Sequence, residues 1–170
     1  MLFSMILAID IHYKATYAKN VGVLFDWPNN APQRTIINQR TDVAEYVSGE
    51  FYKRELPCVL DVIAEVDLDS IEAIIVDGHV YIDNDYNHGL GGYVYEAIQQ
   101  KVPIIGVAKR AFHKNEKTNI PVLRGESANP LYVSAIGISV DVAAKRIKEM
   151  HGEYRMPTLL QILDTETKED

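Results

Sequence analysis

At 170 residues with 47% hydrophobic side chains, the chain is long enough for one domain, residues 1–170, with a sizeable core, and it needs no second. A formal net charge of −7 repels nucleic acid at long range, so any polyanion must find a local positive site. Cys58 is the single cysteine, which excludes an internal disulfide framework and a thiolate zinc cluster and fits a reducing, cytoplasmic setting. Metal chemistry would rest on oxygen ligands.

In chain order, the opening MLFSMILAID is apolar but lacks a basic flank and a cleavage pattern. It is far too short to span a bilayer, so SMILAIDIHY is expected as a first strand, with no membrane segment. TYAKNVGVLFDW reads as a second strand and QRTIINQR as a third, with WPNNAP supplying turn chemistry between them; the three suggest an antiparallel meander. FYKRELPCVLDVIAEV sets Leu56, Val59, Leu60 and Ile63 at helical spacing. Pro57 fits best in a first turn, which predicts a helix starting near Glu55. IEAIIVD is the next strand, GGYVYEAIQQ a helix, VPIIGVA a buried strand and PLYVSAIG another. Ser139 is expected to cap a helix carrying Val140, Ala143, Ala144 and Ile147, with Lys145, Arg146 and Lys148 turned outward.

Three strands followed by helix, strand, helix and strand describe an α/β fold, a mixed sheet flanked by helices in which the meander precedes parallel strands. The ribonuclease H-like arrangement is one such sheet, and it draws carboxylates from its first strand, from a helix after the meander and from the end of the next strand. Those places hold Asp10 in LAIDIHY, Glu55 in KRELP and Asp77 in IVDGH. Mg²⁺ or Mn²⁺ prefers hard oxygen ligands and keeps waters, one of which can attack a phosphodiester. Taken singly, each acid has a plainer use: Asp10 bonded to a loop, Glu55 as a first-turn acid, Asp77 closing the turn before Gly78. The triple is more informative than its parts. Two basic segments, FYKREL and GVAKRAFHKNEK, are the local positive sites, unless they are solvated faces.

The sequence resembles the endonuclease V family, metal-dependent nucleases that incise nucleic acid near deaminated bases. FYKRELPCVL is similar to that family's Phe-x-x-Arg-Glu-x-Pro segment, IIVDGH to its Val-Asp-Gly strand end, and PIIGVAKRAF to its Ile-Gly-Val-Ala-Lys segment. AIDIHY, NPLYVS and YRMP extend the likeness in order over nearly the whole chain. The resemblance implies that Asp10, Glu55 and Asp77 carry Mg²⁺ or Mn²⁺ and that Lys109 stands beside the scissile phosphate or the attacking water. It also implies that Tyr46 forms the aromatic tip of a strand-prying wedge. Gly78 and Arg54 are expected at the nucleic-acid surface, Arg54 pairing with phosphate or with an acid unless it forms a plain surface salt bridge. The implied reaction is hydrolysis at the second phosphodiester 3′ of inosine in DNA or RNA, in repair or processing, leaving a 3′-hydroxyl and a 5′-phosphate.

The chain departs from the family pattern in several places. LYVS is followed by AIG where the family carries Gly-His, and that histidine is taken here as an active-site contributor, so His79 or His12 is a candidate substitute ligand or proton shuttle. The plainer reading gives these histidines hydrogen bonds to backbone. Glu45 and Ser48 replace the wedge prolines, and DND at 83–85 stands where the family has His-Pro-Arg. Alternatives therefore stay open: a ribonuclease H-like enzyme with a changed nucleic-acid substrate, or a catalytically weak binding protein. A P-loop is absent, and HGLGG is a weak dinucleotide signature. Sequence leaves the oligomeric state open.

Overall fold

The first strand, β1 (Met5–Tyr13), alternates its apolar side chains between two cores. Ile6 and Ala8 join one, Leu7 and Ile9 the other, as the two-residue strand period requires. The computed structural model describes residues 4–45, 47–48, 50, 52–112 and 114–170. Tyr46, the expected wedge tip, lies outside the described residues.

β2 (Ala18–Phe25) and β3 (Arg34–Arg40) complete the expected antiparallel meander, with Asp10 opposite Val21 and Asn20 opposite Asn38. β4 (Ile71–Asp77) and β5 (Ile104–Ala108) then run parallel to β1. β6 (Ile120–Val122) and β7 (Leu131–Ile136) close the far edge, giving a seven-stranded sheet in the order β3-β2-β1-β4-β5-β7-β6. The mixed ribonuclease H-like sheet is therefore as expected. The strand in PLYVSAIG, however, returns antiparallel to β5, because its connection is the extended, turn-rich segment 109–130 and not a crossover helix. β6 escapes prediction because three residues around Pro121 carry no periodicity.

Four helices cover the sheet. α1 (Tyr52–Ile63) and α2 (Leu90–Ala97) bury Val59, Val62, Leu90 and Val94 against Leu7, Ile9, Ile74 and Val76. α3 (Val140–Glu149) and α4 (Thr158–Lys168) bury Ala143, Ile147, Leu159, Leu160 and Leu163 against Ile6, Ala8, Ile75 and Val107. α1 begins at Tyr52, before the expected Glu55, which leaves Pro57 inside it. The carbonyl that Pro57 cannot bond belongs to Lys53, which is exposed, so water can satisfy it. Ser139 sits at the N-cap of α3 as expected, yet its side chain makes no capping bond. α4 was not anticipated. It packs across β1 and β2, and the buried Lys19 holds its last turn by donating to the carbonyls of Glu166 (2.6 Å) and Glu169 (2.8 Å). A cation there also complements the negative end of the helix dipole. No helix among the described residues is long and apolar enough to cross a membrane.

Two glycines shape the turn after β4. Gly78 has φ 147°, a conformation other residues adopt only with strain, and space around it is open. Gly106 is needed for room: a Cβ there would stand 2.6 Å from the Gly78 carbonyl oxygen and 2.7 Å from Ser134 Oγ. That hydroxyl accepts from Val80 N at 2.9 Å. Gly106→Ala is therefore expected to push the 78–80 turn away and to cost about 1–3 kcal/mol by overpacking. Thermal melting checks it, and an unchanged midpoint would show that the turn accommodates the methyl freely.

Candidate active site

Strand parity and register assemble most of the site. Ile9 pairs with Val76, so Asp10 and Asp77, the next residue of each strand, stand side by side; Asp77 pairs with Val107, and Lys109, two residues past Val107, joins them where the three parallel strands end. Counting in twos from Ile6 and Ala8, Ile75, and Ile105 and Val107 puts all three on the α4 side of the sheet. There they line a cavity of about 30 Å³ with Leu160, Leu163 and Asp164, room for an ion or a water. Glu55 arrives from the opposite face. On the first turn of α1, it lines a second slot with Asp10, Asp77, Val59 and Leu90. The Asp10–Asp77 pair thus stands between Glu55 on one side and Lys109 with Asp164 on the other.

Burial, and after it the crowding of like charge, sets the electrostatics. Asp10 is pushed up to about 7, first by burial and then by the Asp77 charge, although the Ile11 amide donates to its Oδ1 at 2.9 Å. Glu55 is pushed up to about 7 by burial, then by Asp77 and Asp10, with Arg54 pulling the other way. Asp77 keeps surface open to solvent at the rim, but its dense surroundings still raise it, against the Lys109 charge and a hydrogen bond with Asp10. Asp10 and Glu55 therefore hold protons up to near neutral pH, burial being the first cause and the neighbouring carboxylates the second.

That is the environment a hard divalent cation suits, since it would remove the mutual repulsion and take carboxylate oxygens as ligands. Among the described residues no three His, Cys, Asp or Glu side chains are already gathered as an ion cage. The donor set fits by chemistry and shared cavities, with Asp10 and Asp77 hydrogen-bonded to each other and Lys109 paired with Asp164.

Asp164 is the residue sequence reasoning missed. Its Oδ1 lies 3.5 Å from Lys109 Nζ and its Oδ2 3.0 Å from Lys168 Nζ. Burial pushes its carboxyl up, but the Lys168 hydrogen bond and the Lys109 charge outweigh burial and hold it below the usual range. The signal was available, as an acid one residue beyond the apolar stripe Leu159, Leu160, Leu163 in PTLLQILD. Arg155 of YRMP fastens this helix to the site: its guanidinium donates to the carbonyls of Lys109, Pro130 (2.8 Å) and Asn129 (2.9 Å).

The expectation about the family histidine is corrected by the register of β7. Tyr132 pairs with Ala108 and Ile136 with Ile104, so the residues after LYVS run away from Lys109. At about 3.3 Å per residue, Ile136 stands roughly 16 Å along the strand from the site end, and Gly137 packs against Tyr95 and Pro103. A histidine there cannot reach the carboxylates, and no ligand is lost by its absence. His12 lines neither cavity, although it shares a strand face with Asp10. His79 Nε2 is 3.2 Å from the Arg110 carbonyl oxygen, the backbone bond of the plainer reading, while its Nδ1 is buried without a partner. Arg54 stacks over the Tyr13 ring, 3.6 Å from its centroid.

The family profile described as Endonuclease V matches residues 2–165. No curated protein matches. Among solved structures, the Ciona intestinalis Endonuclease V bound to a 24mer DNA containing an inosine followed by a ribo-adenosine aligns at TM-score 0.79 and 17% identity, covering 97% of this chain and 84% of that one. Human ENDOV aligns at 0.75 and 20% identity, with coverage of 98% and 83%. The Marinitoga piezophila Argonaute, at TM-score 0.55 and 11% identity, shares the fold over 98% of this chain and 30% of its own.

Proposed function

Because the chain belongs to the endonuclease V family, we propose that it is a divalent-metal-dependent endonuclease that hydrolyses a phosphodiester of DNA or RNA near a deaminated base, inosine. The observation that carries this is the convergence of Asp10, Glu55, Asp77 and Lys109 on adjoining cavities at one end of the parallel strands. Asp10, Glu55 and Asp77 would hold Mg²⁺ or Mn²⁺, which would supply Lewis acidity toward the phosphate and lower the pKa of a water. Lys109, its side chain 38% exposed, offers an ammonium to the phosphate while Asp164 fixes its direction. Gly78 leaves bare backbone beside the carboxylates where the strand passes, Arg54 supplies positive charge next to Glu55, and Tyr46 serves as the wedge. His79 and His12 take no ligand role. The nuclease acts in repair or processing, and the lone buried thiol of Cys58 suits the cytoplasm.

A changed substrate is the second reading, favoured by the 83–85 loop. Asp83 and Asp85 stand there, with Asp83 locked by the Asp85 and Asn87 amides at 2.9 and 3.1 Å. The test is cleavage of matched single- and double-stranded DNA and RNA, each with and without one inosine. Preferential cutting of inosine strands, with a 5′-phosphate on the downstream product, is expected. Equal cutting of plain strands would transfer the proposal to the second reading, and intact strands throughout would remove both.

A further inference from the structure

Tyr154 carries the most exposed large hydrophobic side chain among the described residues, at 77%. Single exposed apolar side chains are ordinary on a folded chain. This one is set apart by the backbone beneath it and by what lies beside it. The buried Arg124 donates to the carbonyl of Tyr154 at 2.5 Å, and to those of Met150 (2.6 Å) and Gly152 (3.2 Å). At Gly125, where φ is 60°, a Cβ would collide with the Glu153 carbonyl oxygen, so the loop after β6 locks directly onto the stretch before Tyr154. On the other side, Arg155 donates to the carbonyls of Lys109, Pro130 and Asn129. The ring is thus held out from a fixed segment, one residue from a side chain bonded to the Lys109 backbone.

Two clefts flank the ring. The one toward α4, about 460 Å³, is also lined by Met156, Thr158, Gln161 and Ile162. Met156 lines the cavity of Asp10, Asp77 and Lys109 as well, so this cleft continues from the candidate active site along α4. The cleft on the other side, about 440 Å³, carries Glu126 and Glu153 on its wall, which oppose a phosphate. The Arg155 guanidinium is engaged by backbone carbonyls and adds little attraction for an anion. A flat, uncharged group with polar edges fits better, its face on the ring and its edges toward Thr158 and Gln161.

We infer that Tyr154 is a stacking platform for one unpaired base of the nucleic-acid strand, seated between the ring and α4 close to the scissile phosphate. The inference rests on the nuclease function proposed for the chain. It adds a contact that reads neither the deaminated base nor the sequence around it, since every base has a π-face. A base inside a duplex cannot offer that face without leaving its stack, so the contact favours strands that are single on this side.

The test measures binding of the full chain, in EDTA, to a single-stranded DNA with one inosine, each base in turn being replaced by an abasic tetrahydrofuran residue. Wild type should lose about tenfold at one position other than the inosine. Tyr154→Leu should bind the intact strand about tenfold more weakly and lose nothing further at that position. Tyr154→Phe, which keeps the ring, should match wild type. The slope of log K against log salt should be the same in all three proteins, because no phosphate contact changes. Equal abasic profiles in wild type and Tyr154→Leu would overturn the inference and leave the nuclease proposal standing. A flatter salt slope in Tyr154→Leu would also overturn it, by assigning the ring to the support of a phosphate contact. A wild type that shows the coupled position yet cuts no strand in Mg²⁺ or Mn²⁺ would remove the nuclease proposal and keep the stacking site. A wild type that binds no strand would sink both.

Discussion

Asp77→Asn should lower the single-turnover cleavage rate by about a thousandfold, while raising the melting temperature of the metal-free protein at pH 8. The rate loss follows from removing a metal-holding carboxylate, an electrostatic contribution of about 4 kcal/mol at about 1.4 kcal/mol per decade. The stability gain follows from the same charge. Asp77 is the largest charged neighbour raising both Asp10 and Glu55, and it lines one slot with them. Neutralising it relieves two repulsions in the ionised, metal-free site. The opposite signs separate a residue kept for chemistry from one kept for structure. A melting temperature that falls along with the rate would assign Asp77 to holding the turn at Gly78 instead.

The second large effect is on pH. Asp10 moves from 3.8 and Glu55 from 4.5 to about 7 in the folded chain. Between about pH 4 and pH 7 the folded protein therefore keeps protons that the unfolded chain has released, and stability contributed by these groups falls as pH rises, levelling off above about pH 7. His79 works the other way over the upper part of that window, because burial lowers it and folding then favours its neutral form. It is one group against two or three. Asp164 is lowered, so its contribution changes below about pH 4, outside the window. In EDTA the melting temperature is thus expected to be lower at pH 8 than at pH 5. Mg²⁺ or Mn²⁺ should raise it more at pH 8, where no protons need displacing, and binding at pH 6 should release protons, seen as a buffer-dependent heat in calorimetry. A metal effect equal at both pH values would place the ion away from Asp10 and Glu55.

Much of this site is legible in the sequence because it follows from strand parity. ILAID, IIVD and GVAK each end an apolar run on a charged residue, and parallel pairing sets those ends side by side. Glu55 needs more than periodicity, since an acid in a first helical turn is ordinary; the motif around it carried that assignment. Asp164 is legible only once Leu159, Leu160 and Leu163 are read as the face that α4 buries, because the acid then falls one residue past that stripe and nothing in the strands points to it. The histidine expectation failed for a topological reason. Proximity in sequence to LYVS says nothing about which end of the sheet a residue reaches, and the antiparallel return of β7 carries positions 135–137 away from the carboxylate end. The contact of Arg54 with the Tyr13 ring belongs to the same class, for the two stand 41 positions apart and only the packing of α1 against β1 brings them together.

The most direct measurement is the metal dependence of strand cleavage by the full chain at pH 7.5. One end-labelled strand with a single inosine is incubated in Mg²⁺, in Mn²⁺ and in EDTA, and the products are mapped to the nucleotide. A single cut on the 3′ side of the inosine, present with either metal and absent in EDTA, is the expected outcome. Cleavage that persists undiminished in EDTA, or a strand that stays intact with both metals, would contradict the assignment of Asp10, Glu55 and Asp77 as a metal-dependent nuclease site.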